Sequence, residues 1–275
     1  MVEPMPPVSL TAFYTCAVRA RDAARLAPVV GDRFAQRLMD ERGAALWERM
    51  RDLKLPALSI IARHRLIDDR LRALLAADPD LRIVLLGAGF DSRAFRLAGG
   101  RWLEVDEPAV IAHKESRLPA ADAPNPLQRI AVDFATESLA QRLAPFAEPR
   151  RVVVVMEGVL LYLDGAQQQA TAEALASLAP EVLLFADVMT PTFFRRAGQA
   201  THARLRELGA PFKVQSVDVP ALWSRAGFEV RARHSIPAAM SRLGLARIPG
   251  VLLATLLRWL RDGYVVLELA RRGRA

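Results

Sequence analysis

The sequence predicts an α/β protein, a doubly wound and mostly parallel sheet of seven strands behind an N-terminal helical cap. Residues 9–77 carry helical patterning throughout, and from residue 82 onward short apolar, β-branched runs alternate with helical stretches. The first of those runs ends in Gly87-Ala88-Gly89. Alternation of strand and helix marks a parallel sheet covered on both faces, because each parallel crossover needs a long connection to return the chain.

In the cap, Ser9 or Thr11 can start a first helix that runs through Arg19 towards Arg25. Further helices are expected near 32–39, 44–51 and 57–76, punctuated by Pro28 and Pro56, and Asp78-Pro79-Asp80 turns the chain out of the cap. Strands are expected at 82–86, 101–105, 130–132, 151–156, 182–186, 228–233 and 264–269, with helices such as 109–117 and 167–178 between them. Only the last two strands have room to pair differently, because residues 236–262 lie between them. The division is a cap over 1–77, continuous with the core, and a ligand-binding α/β domain over 78–275. No internal repeat or low-complexity tract interrupts it.

Composition removes whole classes of function. With 275 residues, 52% hydrophobic and 25% charged, the chain is a folded globular protein and not a disordered one. A single cysteine, Cys16, excludes a disulfide framework and a cysteine-built zinc site, and points to a reducing, cytoplasmic setting. The net charge is +8, carried by thirty-five arginines and only three lysines, Lys54, Lys114 and Lys213. That bias reads as GC-rich coding. The arginines are interleaved with acids in no run of five, so a solvated surface is preferred to a nucleic-acid partner. Residues 1–9 lack the basic start and apolar stretch of a signal peptide. The apolar stretch 251–260 is broken by Arg258 and falls short of the ~18 residues of a membrane span. The wider stretch 248–260 is read as a helix covering the cap or sheet rather than a membrane or subunit contact, which leaves a homo-oligomer open.

The chemistry gathers at strand ends. Two glycines one residue apart let the backbone turn sharply and approach a ligand, beyond the carboxyl end of the first strand, where open α/β sheets bind. Alone, Gly-x-Gly reads equally well as a tight strand-to-helix turn. Asp106, however, ends the second strand nineteen positions after Gly87, where a carboxylate can grip a ribose diol. Asp133 with Phe134 follows the third strand and suits an adenine, and Glu157 follows the fourth. A dinucleotide would want a third glycine where Ser92 stands, and its pyrophosphate would meet Asp91. S-adenosylmethionine has no phosphate, and its cationic sulfonium favours an acid-lined crevice. A nicotinamide-dependent oxidoreductase is the alternative, disfavoured by Ser92 and by the missing Tyr-x-x-x-Lys. A non-catalytic binding protein of the same fold is another.

The runs Ala62-Arg63-His64-Arg65-Leu66-Ile67-Asp68, Val84-Leu85-Leu86-Gly87-Ala88-Gly89-Phe90-Asp91-Ser92-Arg93, Leu103-Glu104-Val105-Asp106, Val132-Asp133-Phe134 and Met156-Glu157-Gly158-Val159-Leu160-Leu161-Tyr162-Leu163 together resemble the leucine carboxyl methyltransferase family. That family has a Rossmann-like, seven-stranded methyltransferase sheet and includes protein-phosphatase methyltransferases and bacterial relatives of polyketide pathways. The resemblance covers about 9–190. It implies S-adenosylmethionine as cofactor and S-adenosylhomocysteine as product. Arg63 would hold the methionine carboxylate, Gly87, Ala88 and Gly89 would line the cofactor, Asp106 would bind the ribose, Asp133 and Phe134 the adenine, and Glu157 the amino group. Arg93 would order its loop or meet the substrate, and Tyr162 would line the site or simply pack.

One departure bears on the substrate. Phosphatase-directed members carry a basic cofactor contact in the first helix, and Thr11-Ala12-Phe13-Tyr14 has none. The expectation is therefore an O-methyltransferase acting on a carboxylate or hydroxyl of a small molecule, a secondary metabolite such as a polyketide. A carboxylate acceptor needs no base, whereas a phenol with pKa about 10 would benefit from one. Among His64, His113, His202 and His234, His202 is the candidate for the acceptor pocket, against the ordinary reading of a surface histidine. No histidine pair has metal-ligand spacing, so no metal is expected.

Overall fold

The computed structural model describes residues 5–213 and 218–272. The chain opens with helices α1 (Pro7–Ala23), α2 (Ala35–Leu38), α3 (Glu41–Met50) and α4 (Lys54–Ala77). The first half of the sheet follows as β1 (Arg82–Leu86), α5 (Arg93–Arg96), β2 (Arg101–Asp106), α6 (Pro108–Arg117), β3 (Leu127–Ala131), α7 (Leu139–Leu143) and β4 (Arg151–Met156). The second half runs α8 (Gly165–Ala176), β5 (Glu181–Met189), α9 (Pro191–Phe193), α10 (Gln199–Glu207), α11 (Val219–Ser224) and β6 (Glu229–Ser235). It closes with α12 (Ile236–Arg242), α13 (Gly250–Ala254), α14 (Arg258–Arg261) and β7 (Tyr264–Arg272).

The seven strands lie in the order β3-β2-β1-β4-β5-β7-β6. Every pair from β3 to β5 is parallel, and β7 runs antiparallel to both β5 and β6. The order reverses beside β1, between β2 and β4, which is the switch point where such sheets open a crevice. Strand β1 is buried on both faces. Ile83 and Leu85 join the core shared with α1, α3 and α4, while Val84 and Leu86 join the opposite core with α8 and α11. The cap thus shares its apolar core with the sheet.

Element boundaries moved for local reasons. Helix α1 begins at Pro7 with no side-chain cap, because proline presets the helical φ and needs no amide partner there. Ser9 and Thr11 fall inside it, and Thr11 Oγ1 donates to the Val8 carbonyl at 2.6 Å. Helix α3 begins three residues earlier than expected, since Asp40 caps it by accepting from the Gly43 amide at 3.1 Å. Pro56 sits within the first turn of α4, where its missing amide hydrogen costs nothing. Strand β3 lies earlier than expected, and β5 runs on to Met189 because β7 pairs with it along its whole length. The stretch 248–260 is not one covering helix. It holds the short helices α13 and α14, with Leu253 buried and Val251, Leu252 and Leu256 exposed.

On the face away from the cap, Trp223 is fully buried, packs edge-on against Phe228 at 5.2 Å between ring centroids, and donates to Gln168 Oε1 at 3.4 Å. Truncation there leaves a cavity that rigid neighbours cannot close. Trp223→Ala is expected to cost about 3–5 kcal/mol, read as a lower denaturant midpoint with an unchanged slope.

Candidate functional site

The glycine turn is built by the strands on either side of it. Gly87 and Gly89 adopt φ of 68° and 47°, a region that side-chain-bearing residues rarely occupy. A Cβ on Gly87 would run into Val159. The amides of Gly87 and Ala88 donate to the Val105 carbonyl at 2.9 and 3.1 Å, folding the turn over the end of β2. Asp106 then locks it. Its Oδ2 accepts from the Gly89 amide at 2.6 Å and its Oδ1 from the Glu107 amide at 2.7 Å. Burial outweighs those bonds and pushes the Asp106 carboxyl up.

Ser92, where a dinucleotide turn would have glycine, is fully buried and donates to Asp32 Oδ1 at 2.6 Å while accepting from Arg96 Nε at 3.0 Å. It is a hinge pin between turn and cap. Arg19 joins the same knot from α1, donating to Asp32 at 3.0 Å and to the Phe90 carbonyl at 2.6 Å.

Arg63 projects from the buried middle of α4. Its Nε donates to Glu157 Oε1 at 3.0 Å, and its Nη1 donates to Asp187 and to the Tyr264 hydroxyl, each at 2.7 Å. No hydrogen bond among the described residues engages Nη2, and Arg63 lines the main cavity. Glu157 Oε2 faces Arg93 Nη2 at 2.7 Å and His64 Nδ1 at 3.0 Å. Burial alone would raise the Glu157 carboxyl, but His64, Arg93 and Arg63 hold it well below the usual carboxylate range. A ligand amine would therefore meet a fully ionised Oε1.

Arg96 Nη2 donates to His64 Nε2 at 2.7 Å. The lone pair must then sit on Nε2, and Nδ1 carries the proton that Glu157 accepts. Burial and the adjacent Arg93 both push the His64 pKa down. Arg93 itself is fully buried, gripping Asp68 at 2.6 Å, Asp91 and Glu157. His64, Asp91 and Glu157 form a trio with ligand-type atoms within 4.8 Å of one another. The Arg93 guanidinium donates to Asp91, to Glu157 and to the His64 carbonyl, so a cation of the chain stands against both carboxylates.

Gly87, Ala88, Gly89, Asp106, Phe134, Glu157 and Tyr162 surround one cavity with Arg63. Three expected site residues do not. Asp133 turns its carboxylate onto its own loop, accepting from the Ala135 amide at 2.9 Å and from Thr136 Oγ1 at 2.7 Å. Arg93 is sealed behind the turn, where it orders the loop and is out of reach of a substrate. His202 packs edge-on to Phe194 at 4.9 Å, and its Nδ1 accepts from the Phe212 amide at 3.3 Å, which ties up the nitrogen a base would use. Tyr162 packs against Phe212 at 5.3 Å, and burial pushes its hydroxyl up to about 12.

Two important residues escaped the sequence reading. Asp187 is fully buried and anchors Arg63, and Tyr264 completes that anchor from β7. Asp187 is a fourth strand-end acid, and the signal was the acid following the apolar run 182–186. Pairing with β7 carries β5 past that run to Met189 and so places Asp187 inside the strand.

Neutral His64 has a pH consequence. Its folded pKa lies below the ordinary 6.5, so the unfolded chain binds more protons and stability falls as pH drops below about 6.5. The lowered carboxyls of Asp32, Asp91 and Glu157 add a further loss at more acid pH. Thermal melting should therefore show Tm declining from pH 6.5 downward, with the upper part of the decline flattened in His64→Gln.

Comparison with known proteins places the fold. A family model described as leucine carboxyl methyltransferase matches residues 12–176. A Parafrankia protein provisionally named an S-adenosyl-L-methionine-dependent methyltransferase is 36% identical over 180 residues, covering 59% of this chain and 56% of that one. A Mycobacteroides abscessus protein with the same provisional name is 33% identical over 180 residues, covering 58% of each. The chain thus spans little more than half the length of these relatives. Among solved structures, a DUF574 family protein from Streptomyces avermitilis superposes with a TM-score of 0.58 at 11% identity, covering 94% of this chain and 97% of that one. Magnesium protoporphyrin IX methyltransferase from Synechocystis, with S-adenosylhomocysteine bound, gives 0.51 at 17% identity, covering 84% and 95%. These likenesses show the Rossmann-like fold.

Proposed function

The chain belongs to the leucine carboxyl methyltransferase family, and from that premise we propose that it transfers the methyl group of S-adenosylmethionine to a carboxylate oxygen of a small molecule. The observation that carries the reading is the unengaged Nη2 of Arg63, lining a cavity that also reaches the Gly87–Gly89 turn and Asp106. A guanidinium edge fits a carboxylate such as that of the cofactor's amino-acid end. Gly158 leaves the approach open, since a Cβ there would lie 3.3 Å from Nη2. Each oxygen of Asp106 accepts one backbone amide and retains a second lone pair for a ribose hydroxyl. Phe134, 39% exposed on the cavity wall, offers an apolar face to a purine.

When bound, S-adenosylmethionine supplies an electrophilic methyl carbon, to which an acceptor oxygen bonds as the carbon–sulfur bond breaks and its electron pair stays on sulfur. The chain's part is to hold acceptor and donor close and collinear, which can supply about 7–11 kcal/mol of barrier lowering. The ionisable groups around Arg63 and Arg93 are committed to one another. His64 is neutral with both nitrogens used, Glu157 and Asp91 are held by guanidinium groups, and the Tyr264 hydroxyl is pushed up by burial. None of them is set to take a proton, which suits an acceptor that is already ionised near neutral pH and releases none.

Titration calorimetry tests the reading. Saturable one-to-one binding of S-adenosylhomocysteine is expected, and Asp106→Asn should weaken it by roughly tenfold or more. Heat with NAD and none with S-adenosylhomocysteine would overturn it.

A further inference from the structure

The main cavity measures about 1100 Å3, above the ~300–1,000 Å3 of an ordinary small-molecule site. It has room for a second ligand beside a nucleoside. Its two ends differ in chemistry. The strand-end crevice is polar, lined by Asp106, Glu107 and Glu157. One stretch of the wall is apolar: Val8 from α1, Leu55 and Ile60 from α4, Phe193 from α9, Met240 from α12 and Leu260 from α14. Arg63 and Tyr264 also line it.

Two of these wall residues are poorly buried for their chemistry. Val8 is 41% exposed and Leu55 66% exposed, although both line the cavity. Water therefore wets apolar side chains that a ligand's hydrocarbon would cover, which is a favourable exchange. The same surface continues outward. Ile248 and Leu260 line the cavity, and between them Val251 and Leu256 stand 71% and 79% exposed. Arg247 and Arg258, both exposed, lie at that stretch and suit the approach of an anionic amphiphile.

Resting on the methyl-transfer reading above, the geometry points to the acceptor class: an amphiphilic aliphatic carboxylate whose hydrocarbon body lies among Val8, Leu55, Ile60, Phe193, Met240 and Leu260. Its carboxylate end then lies towards the polar strand-end crevice, and Arg63 stays with the carboxylate of the cofactor. The walls recognise the acceptor by its apolar length, and a small polar acid leaves them wetted.

A homologous series of straight-chain carboxylates from six to twelve carbons tests this by calorimetry, below their micellar concentrations, on the full chain alone and saturated with S-adenosylhomocysteine. The expected result is one-to-one binding whose affinity rises about fourfold per added methylene, the equivalent of about 0.8 kcal/mol each. Met240→Arg, which puts a charge into the wall, should abolish that dependence while leaving the affinity for S-adenosylhomocysteine unchanged. Affinity independent of chain length, or the same dependence in Met240→Arg, would overturn the proposal. Absence of S-adenosylhomocysteine binding would instead strike the methyl-transfer reading, and the series on the protein alone would still decide whether the wall takes a chain.

Discussion

The site depends on one buried guanidinium. Arg93 has no exposed surface and satisfies its donors on Asp68, Asp91 and Glu157, three carboxylates from three parts of the chain. A charge removed from water in this way is tolerated only when it is paired and hydrogen-bonded, and deleting one partner of such a pair costs about 3–5 kcal/mol. The geometry is therefore stiff. Asp68 belongs to α4, Asp91 to the turn after β1 and Glu157 to the end of β4, so the cap, the glycine turn and the centre of the sheet are pinned to a single point.

From that point the order spreads both ways. Glu157 passes it to Arg63, which is held from the other side by Asp187 on β5 and Tyr264 on β7. Arg96 carries it from Asp68 to Ser92, and Ser92 to Asp32 and Arg19 of the cap. The antiparallel β7 thus has a role beyond closing the sheet, since it delivers a hydroxyl to the arginine that faces the cavity. In a low-dielectric interior such a network is rigid when every member is satisfied. Rigidity is what a collinear transfer asks of its scaffold.

Much of the fold was legible. The seven strands, the helices between them and the cap follow from hydrophobic period, and β4 and β1 fall where the patterning puts them. The misplacements at Pro7, Asp40 and Pro56 are capping effects of one turn of chain. The site was legible less evenly. Gly87, Asp106 and Glu157 stand at strand ends, where position alone assigns them to the crevice. Asp133 stands at a strand end too, yet a threonine three residues on captures its carboxylate. For Arg93 the resemblance offered loop ordering or substrate contact, and burial leaves it the loop; His202 is held outside the cavity by Phe194 and Phe212.

The sequence by itself determined the strands, the glycine turn after the first of them and the acids at strand ends, because strand period and glycine spacing are local properties of the chain. Only the tertiary structure decided which charges meet a ligand and which meet each other. Thirty-five arginines look alike along a chain. Burial separates them: desolvation forces Arg93 to spend every contact internally, while Arg63, with Asp187 and Tyr264 brought to it from 124 and 201 residues away, keeps one nitrogen for the cavity.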